Sequence, residues 1–592
     1  MHLFILGAFF LKSVLAAVYT DPSNLPNNPY TYIIVGAGPG GSVLANRLSQ
    51  NASNRVLLIE AGPSDTANSF VAIPFFCTAL PGTIVSWNYT TVPQTGLSGR
   101  SIAYPRGRAL EDRLRSVHYM VWTRGPASDF DRLARVSGDS GWSWNALQQT
   151  LIGIENLVAP ADGHDTTGEI NPAIHGTNGP VKISVEQTLQ IDSRIFQTTQ
   201  QLPEFPFNPD MNSGNPLGIG WTLYSIGNGQ RSSASGSYLT PVLSRPNLDI
   251  LLNTQVTKVI QTGTRDGHPI FRGVQFAQSA SGPLFARNAT KEVILAAGAV
   301  NTPQLLMLSG IGDSNQLGKF NIPTLVNLPD VGKNMQDHVV LPNIFSVNAN
   351  STNDDFARDP ALFNAAFGQW EQSHSGPFAS SVTAEVGWLR LPSNSSIFKT
   401  VSDPSSGPQA PHYEFIFANE FASFVDPTPS TGHFMMIASN LMTPTSRGSI
   451  TLASANPFDA PNIDPALLNS DFDIFTIREG VKAALRFAAA PAWKDYVIGP
   501  FGALANVKTD ADIEAYARSH AATVFHPFST ASMSPFGSSS GVVNPDLTVK
   551  KTIGLRIVDA SVFPNVPAAH PQAALYAAAE RAAKLIANNQ ED

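Results

Sequence analysis

Tyr30-Thr31-Tyr32-Ile33-Ile34-Val35 runs without a break into Gly36-Ala37-Gly38-Pro39-Gly40-Gly41. The apolar hexapeptide reads as a buried strand, and Ser42-Val43-Leu44-Ala45-Asn46-Arg47-Leu48 has the spacing of a helix. A second apolar run, Arg55-Val56-Leu57-Leu58-Ile59, ends in Glu60. A strand, a glycine turn, a helix and a second strand closing on an acid form a dinucleotide-binding unit. Gly36 permits the tight turn, Gly38 lets backbone approach a pyrophosphate, and Gly41 allows the helix to pack close to the strand. The helix start offers unpaired N–H groups to phosphate, and Glu60 is placed to bind the ribose hydroxyls. The motif alone serves FAD and NAD equally.

Length and composition bound the rest. A chain of 592 residues with 43% hydrophobic and 14% charged content implies two or more packed domains. A net charge of -8 argues against a nucleic-acid partner. The run Leu3–Leu11 is too short to span a bilayer and leads to the small residues of Val14-Leu15-Ala16-Ala17, so a signal peptide over 1–17 and a secreted, soluble protein are expected. Sequons at Asn51, Asn88, Asn288, Asn350 and Asn394 agree with that route. A secreted protein has no nicotinamide supply, which favours a tightly held flavin. Cys77 is the single cysteine, so stability must come from core size, and its neighbours Phe75, Phe76 and Leu80 imply buried packing. No metal-ligand pattern is present.

Near the C-terminus, Phe525-His526-Pro527 and Ala569-His570-Pro571-Gln572 set two histidines just before prolines, with the strand-like Leu555-Arg556-Ile557-Val558-Asp559 between them. Two converging imidazoles suit alcohol oxidation, one as base and one as hydrogen-bond partner of the oxygen. A long Ala-rich helix is expected from Pro571, which places His570 at a helix start, where the dipole disfavours imidazolium. Another run, Gly298-Ala299-Val300-Asn301-Thr302-Pro303-Gln304-Leu305-Leu306-Met307-Leu308-Ser309-Gly310-Ile311-Gly312, follows a strand from Lys291 to Ala296; Thr302 reads as an N-cap and Pro303 as the first helical residue.

These stretches, with Arg231-Ser232-Ser233, Arg245-Pro246-Asn247-Leu248 and Asn334-Met335-Gln336-Asp337-His338, resemble the glucose-methanol-choline (GMC) oxidoreductases, most closely the fungal aryl-alcohol oxidases. The likeness extends from about Tyr30 to Ile586. It implies an α/β fold (α+β overall): a Rossmann-like FAD-binding domain from 28–155, 225–335 and 522–592, including a flavin loop at 105–125, and a substrate-binding domain with an antiparallel sheet and helices from 156–224 and 336–521. It also implies that His526 takes the alcohol proton, that His570 hydrogen-bonds the oxygen, and that hydride passes to flavin N5. Arg108, His118, Val256, Asp559, Ala560 and Gln572 match cofactor-binding positions, and Tyr119 and Phe525 match aromatics of an access channel. A third channel aromatic is expected at Phe421 or Phe424, where the loop Asn419–Phe424 does not align cleanly. The expected cofactor is noncovalent FAD, because Val117 stands where some relatives carry a covalently attached histidine. The expected partners are a small-molecule alcohol and dioxygen (giving hydrogen peroxide) or a quinone, with no nucleic acid, no membrane and a monomeric chain.

One segment departs from the pattern. After Pro105-Arg106-Gly107-Arg108-Ala109-Leu110 the family expects Gly-Gly-Ser-Ser, and this chain has Glu111-Asp112-Arg113-Leu114-Arg115, one residue longer. Carboxylates beside a diphosphate are unfavourable, and side chains would crowd the cofactor. The codons GAG GAT CGT CTC encode Glu-Asp-Arg-Leu; preceded by G and read one base out, the same bases give GGA GGA TCG TCT, Gly-Gly-Ser-Ser. The hypothesis is a local frame error in the gene reading, motivated by the recovered motif and the extra residue. The rival is a true sequence in a catalytically silent paralogue. Sequencing the transcript across codons 105–120 is expected to show that base run, and any other codons at 111–114 rule the shift out.

Overall fold

The computed structural model describes residues 17–64, 69–110 and 119–588. The signal-peptide expectation therefore lies outside the described residues except for Ala17, which begins a strand, Ala17–Tyr19, paired in parallel with Leu248–Leu251. That pairing carries the nucleotide-binding sheet further toward the N-terminus than the expected boundary at 28.

The strand Tyr30–Val35 lies at the centre of an eight-stranded sheet, between Val56–Ile59 and the C-terminal half of Phe285–Leu295, both parallel to it. Its sequence is apolar on both faces because both faces are covered, as parallel sheets require. Leu555–Ile557 adds in parallel on the far side of Phe285–Leu295, so the last strand of the chain completes the sheet begun by the first. The helix Pro39–Leu48 starts with proline in its first turn and packs on the C-terminal helix Gln572–Asn588, with Arg47 paired to Glu580 at 2.7 Å.

A second, antiparallel sheet runs in the order Val386–Leu389, Tyr413–Ala418, His433–Leu441, Val339–Val347, Val497–Pro500, with Ala522–Thr523 also on Val339–Val347. Its period-two alternation divides labour between the faces. Leu341, Phe345, Phe415, Phe417, Met435 and Ile437 meet Ile477, Val481, Ala484 and Phe487 of the helix Asp471–Ala488. The opposite face, with Val340, Ile416, Ala418, Met436 and Ala438, is turned to a large cavity.

Two expectations need correction. The boundaries at 155/156 and 224/225 cut through a small sheet made of Val121–Trp122, Leu223–Tyr224, Val181–Val185 and Glu155–Leu157. Val181, Ile183, Val185 and Leu223 belong to the same core as the glycine-turn unit, and the sheet is fastened by the fully buried pair Arg124–Glu155, with His175 between Glu155 (2.8 Å) and Asp210 (2.9 Å). Secondly, the helix after Leu295 begins at Gly298, not at Pro303, and Pro303 lies inside it. An interior proline leaves the carbonyl four residues back without its helical N–H. That carbonyl, of Ala299, accepts from the Thr530 hydroxyl at 2.7 Å, and Thr302, instead of capping, donates to Asp559 at 2.6 Å. Tertiary partners here override local start signals. Thr530→Val should leave the Ala299 carbonyl buried and unsatisfied, lowering stability by about 1–3 kcal/mol in chemical denaturation; an unchanged midpoint would show that the bond is dispensable.

Candidate active site

The cavity extends from the glycine turn to the antiparallel sheet. At its nucleotide end Gly36 has φ +100°, and a Cβ there would lie 2.5 Å from the Ala296 carbonyl oxygen. A Cβ on Gly41 would strike the Gly36 carbonyl oxygen at 1.8 Å, and one on Gly40 the Val558 carbonyl oxygen at 2.0 Å. Gly40 was not singled out from sequence, yet it lets the helix Pro39–Leu48 press onto the end of the last strand. Gly38 and Gly298 behave oppositely: a Cβ on either would meet nothing within 4 Å. Both border the cavity, so backbone faces open space there.

Glu60 reaches this end, its carboxylate accepting from Ala37 N–H at 2.8 Å and Gly62 N–H at 2.9 Å, and burial pushes its pKa up. Val256, Asp559, Ala560 and Gln572 all line the cavity. Asp559 also joins three segments, accepting from Gly298 N–H at 2.9 Å, Thr302 and Ser561. Arg108 does not line it: its guanidinium lies over the Trp87 ring at 4.5 Å, with a buried Nε that has no hydrogen-bond partner, whereas Arg106 and Gly107 do line it. Arg108 lies just past the end of the strand Ala103–Gly107, so the alternation that sets Arg106 toward the cavity does not extend to it. His118, and the departure at 111–115, lie outside the described residues. An open backbone cradle, a buried acid beside it and a helix N-terminus together form a set that could hold a dinucleotide.

At the other end His526 and His570 come together, ring centroids 5.0 Å apart and nearly perpendicular at 78°. Each precedes a proline, which biases its backbone to extended conformations and limits how far the ring can swing. Phe525 adopts φ +61°, a strained value for a bulky residue, imposed where the chain turns to aim His526. Asp337 holds this turn. It accepts from His526 N–H at 2.8 Å, from Thr523 Oγ1 at 2.6 Å and from the Tyr104 hydroxyl, and burial pushes it up to about 6.

The partner of His570 escaped the sequence reading. Its Nε2 lies 2.9 Å and 3.2 Å from the two carboxylate oxygens of Glu414, a buried residue of Tyr413–Ala418 that also accepts from Asn440 Nδ2 at 2.8 Å. An acid on the same strand face as Ile416 and Ala418 was the available signal, because a buried charge needs a partner.

Tyr119, Phe424 and Phe525 line the cavity, and Phe424 meets Phe525 edge to face at 6.3 Å. Phe421 does not; it packs on Phe434 at 5.4 Å and on Phe501 at 6.2 Å. Residue 421 follows the end of the sheet, and its ring packs in one cluster with Val340, Ile416 and Met436, behind the cavity wall and not on its surface. Glu420 is a polar element of the wall that sequence did not reveal, and burial, reinforced by Asp354, pushes its carboxyl up to about 8. It is therefore a neutral acid at pH 7, able to donate and accept. Cys77 is buried as expected, among Phe75, Met120, Val121 and Val382.

The profile of the GMC oxidoreductases matches this chain at residues 30–340 and again at 444–579. The chain belongs to the GMC oxidoreductases. A dehydrogenase of Hericium erinaceus, eriK, is 39% identical over 591 residues, covering 97% of each chain. The pyranose dehydrogenase of Agaricus campestris is 38% identical over 591 residues, covering 97% of this chain and 96% of its own. A fungal aryl-alcohol oxidase structure superimposes with a TM-score of 0.81 at 25% identity, covering 96% of this chain and all of its own. The protein is an oxidoreductase of CH–OH groups with FAD as cofactor. No described helix is long and apolar enough to cross a membrane.

Glu414→Gln should keep the fold and the flavin while removing the charge that pairs with His570. The expected result is a fall in kcat of about 10- to 100-fold at an unchanged flavin-to-protein ratio; wild-type turnover would show that Glu414 only fills space.

Proposed function

We propose that this protein is a secreted FAD-dependent oxidoreductase that converts a primary alcohol with an aromatic or conjugated body to its aldehyde. The observation that carries this reading is the pair of imidazoles, 5.0 Å apart, in a cavity walled by aliphatic side chains of the antiparallel sheet and by Tyr119, Phe424 and Phe525. His526 takes the hydroxyl proton, and with Nδ1 already engaged by His338 the nitrogen for that work is Nε2. His570 holds the oxygen. Glu414 occupies its Nε2, so the substrate oxygen is met from Nδ1. The apolar wall excludes water and packs the body of the alcohol so that its carbinol carbon has one orientation. Bound FAD supplies the hydride acceptor.

Gly38 and Gly298 would give backbone to the diphosphate, Glu60 would bind the ribose, Val256 would flank the adenine, and Asp559, Ala560 and Gln572 would border the ribityl chain. The mature protein would act as a monomer and pass electrons to a quinone or to dioxygen. The likeness to proteins named dehydrogenases favours the quinone.

A second reading, oxidation of a sugar, is favoured by Glu420. A neutral carboxylic acid on the cavity wall suits a substrate with several hydroxyls, and the relative from Agaricus campestris is a pyranose dehydrogenase.

Protein expressed from verified cDNA is expected to show a flavin spectrum, to release the flavin on denaturation, and to oxidise benzyl alcohol with 1,4-benzoquinone or dioxygen. Turnover of glucose with quinone but not of benzyl alcohol would replace the first reading by the second. Colourless protein would favour the silent paralogue.

A further inference from the structure

We propose that His338 is a positioning residue whose Nδ1 accepts the Nδ1–H of His526, fixing His526 in the tautomer with its lone pair on Nε2. The inference rests on the reading of His526 as the base. His338 ends the run Asn334–His338, which resembles a family segment and carries no assigned role in the sequence reading.

The geometry is direct. The two Nδ1 atoms lie 3.0 Å apart, with the rings nearly perpendicular at 83°. Between two neutral imidazoles such a contact has one N–H and one lone pair, so it sets the tautomer of both rings at once. The direction follows from the role of His526. As the base it keeps a lone pair on Nε2, so its single proton sits on Nδ1 and is donated across the contact. The ring of His338 is fully buried, and its residue stands opposite Met442, one step beyond the ladder pair Val339–Leu441. Its Nε2 has no hydrogen-bond partner among the described residues, so nothing at that edge competes with Nδ1 accepting from His526.

Burial, with the charge of His570 adding to it, holds His338 down to about 3. It stays neutral and remains an acceptor across the working pH range. The adjacent Asp337 accepts from the main-chain N–H of the same histidine at 2.8 Å. One dipeptide thus grips His526 by backbone and by ring, the carboxyl on the main-chain N–H and a neutral imidazole on the ring. A carboxylate in the place of His338 would orient the ring too, but would add a negative charge in a dry site.

The test uses histidine-selective ¹⁵N labelling of the holoenzyme, with the His526 signals assigned by their loss in His526→Asn. His338→Asn keeps an acceptor oxygen near the position of Nδ1, and His338→Leu fills the space without one. Wild type and His338→Asn are expected to show His526 as the Nδ1–H tautomer, and His338→Leu a mixture. In the same variants kcat, for whichever of benzyl alcohol or glucose the wild type oxidises with 1,4-benzoquinone, should fall about 10- to 100-fold in His338→Leu, recover most of that loss in His338→Asn, and leave KM nearly unchanged. An Nε2–H tautomer for His526 in the wild type overturns the proposal, as does a His338→Leu enzyme with wild-type tautomer and kcat. Should His338→Leu fail to fold, the wild-type and His338→Asn spectra still decide. A wild type that oxidises neither alcohol would defeat the functional reading alone, because the tautomer is read without turnover.

Discussion

The two facing imidazoles depend on being held from behind by groups that cannot move. His526 is fixed through Nδ1 by His338 at 3.0 Å and His570 through Nε2 by Glu414 at 2.9 Å. Both holding residues are buried on strands of one antiparallel sheet, Glu414 within Tyr413–Ala418 and His338 just before Val339–Val347. A ring on a pre-proline residue has little backbone freedom, and one firm hydrogen bond on its far edge removes most of what is left. The sheet is thus both the wall of the substrate cavity and the frame of the chemistry. Its other face spends its apolar side chains on the helix Asp471–Ala488, which keeps that frame stiff.

How much of this was legible in the sequence varies with the range of the interaction. The glycine turn could be read because its glycines lie together along the chain, Gly36 with φ +100° and Gly41 pressed on the Gly36 carbonyl oxygen, although the Ala296 carbonyl that also crowds Gly36 comes from a distant strand end. The histidines stood out because a proline follows each of them and because their surroundings resemble a family. Glu414 and His338 did not stand out as partners, since strand pairing, not spacing along the chain, brings them to the rings. Glu414 is 156 residues from His570, and His338 is 188 from His526. The Thr302-Pro303 pair misled for the opposite reason. Its local signal was strong, but the Thr530 hydroxyl reaching Ala299 made an interior proline tolerable.

The cavity is also an electrostatic instrument. Burial raises Glu420 to about 8 and lowers His338 to about 3, so both are neutral near pH 7, whereas Asp337, raised to about 6, is largely ionised. Neutral groups can orient through hydrogen bonds without competing with the charge that develops on an alcohol oxygen. The carboxylate of Glu414 is reserved for one ring, with Asn440 to satisfy it.

The contact of Gly40 with the Val558 carbonyl has a consequence for how the molecule comes into being. The helix that opens the nucleotide unit is seated on a residue made 518 positions later, and the central sheet waits for Leu555–Ile557 before the C-terminal end of its Phe285–Leu295 strand is flanked on both sides. Chain emerging from a ribosome or a translocation pore has seven of this sheet's eight strands by residue 295, yet lacks the eighth, and the seat of its glycine-turn helix, until nearly the last residue has been made. Loading of the cofactor is therefore an event of the finished chain, and the unpaired strand edge is exposed for most of synthesis. A fold assembled from both ends of its sequence in this way keeps that edge open while it waits, and a translation product that stops short of Val558 lacks the seat on which its glycine-turn helix rests.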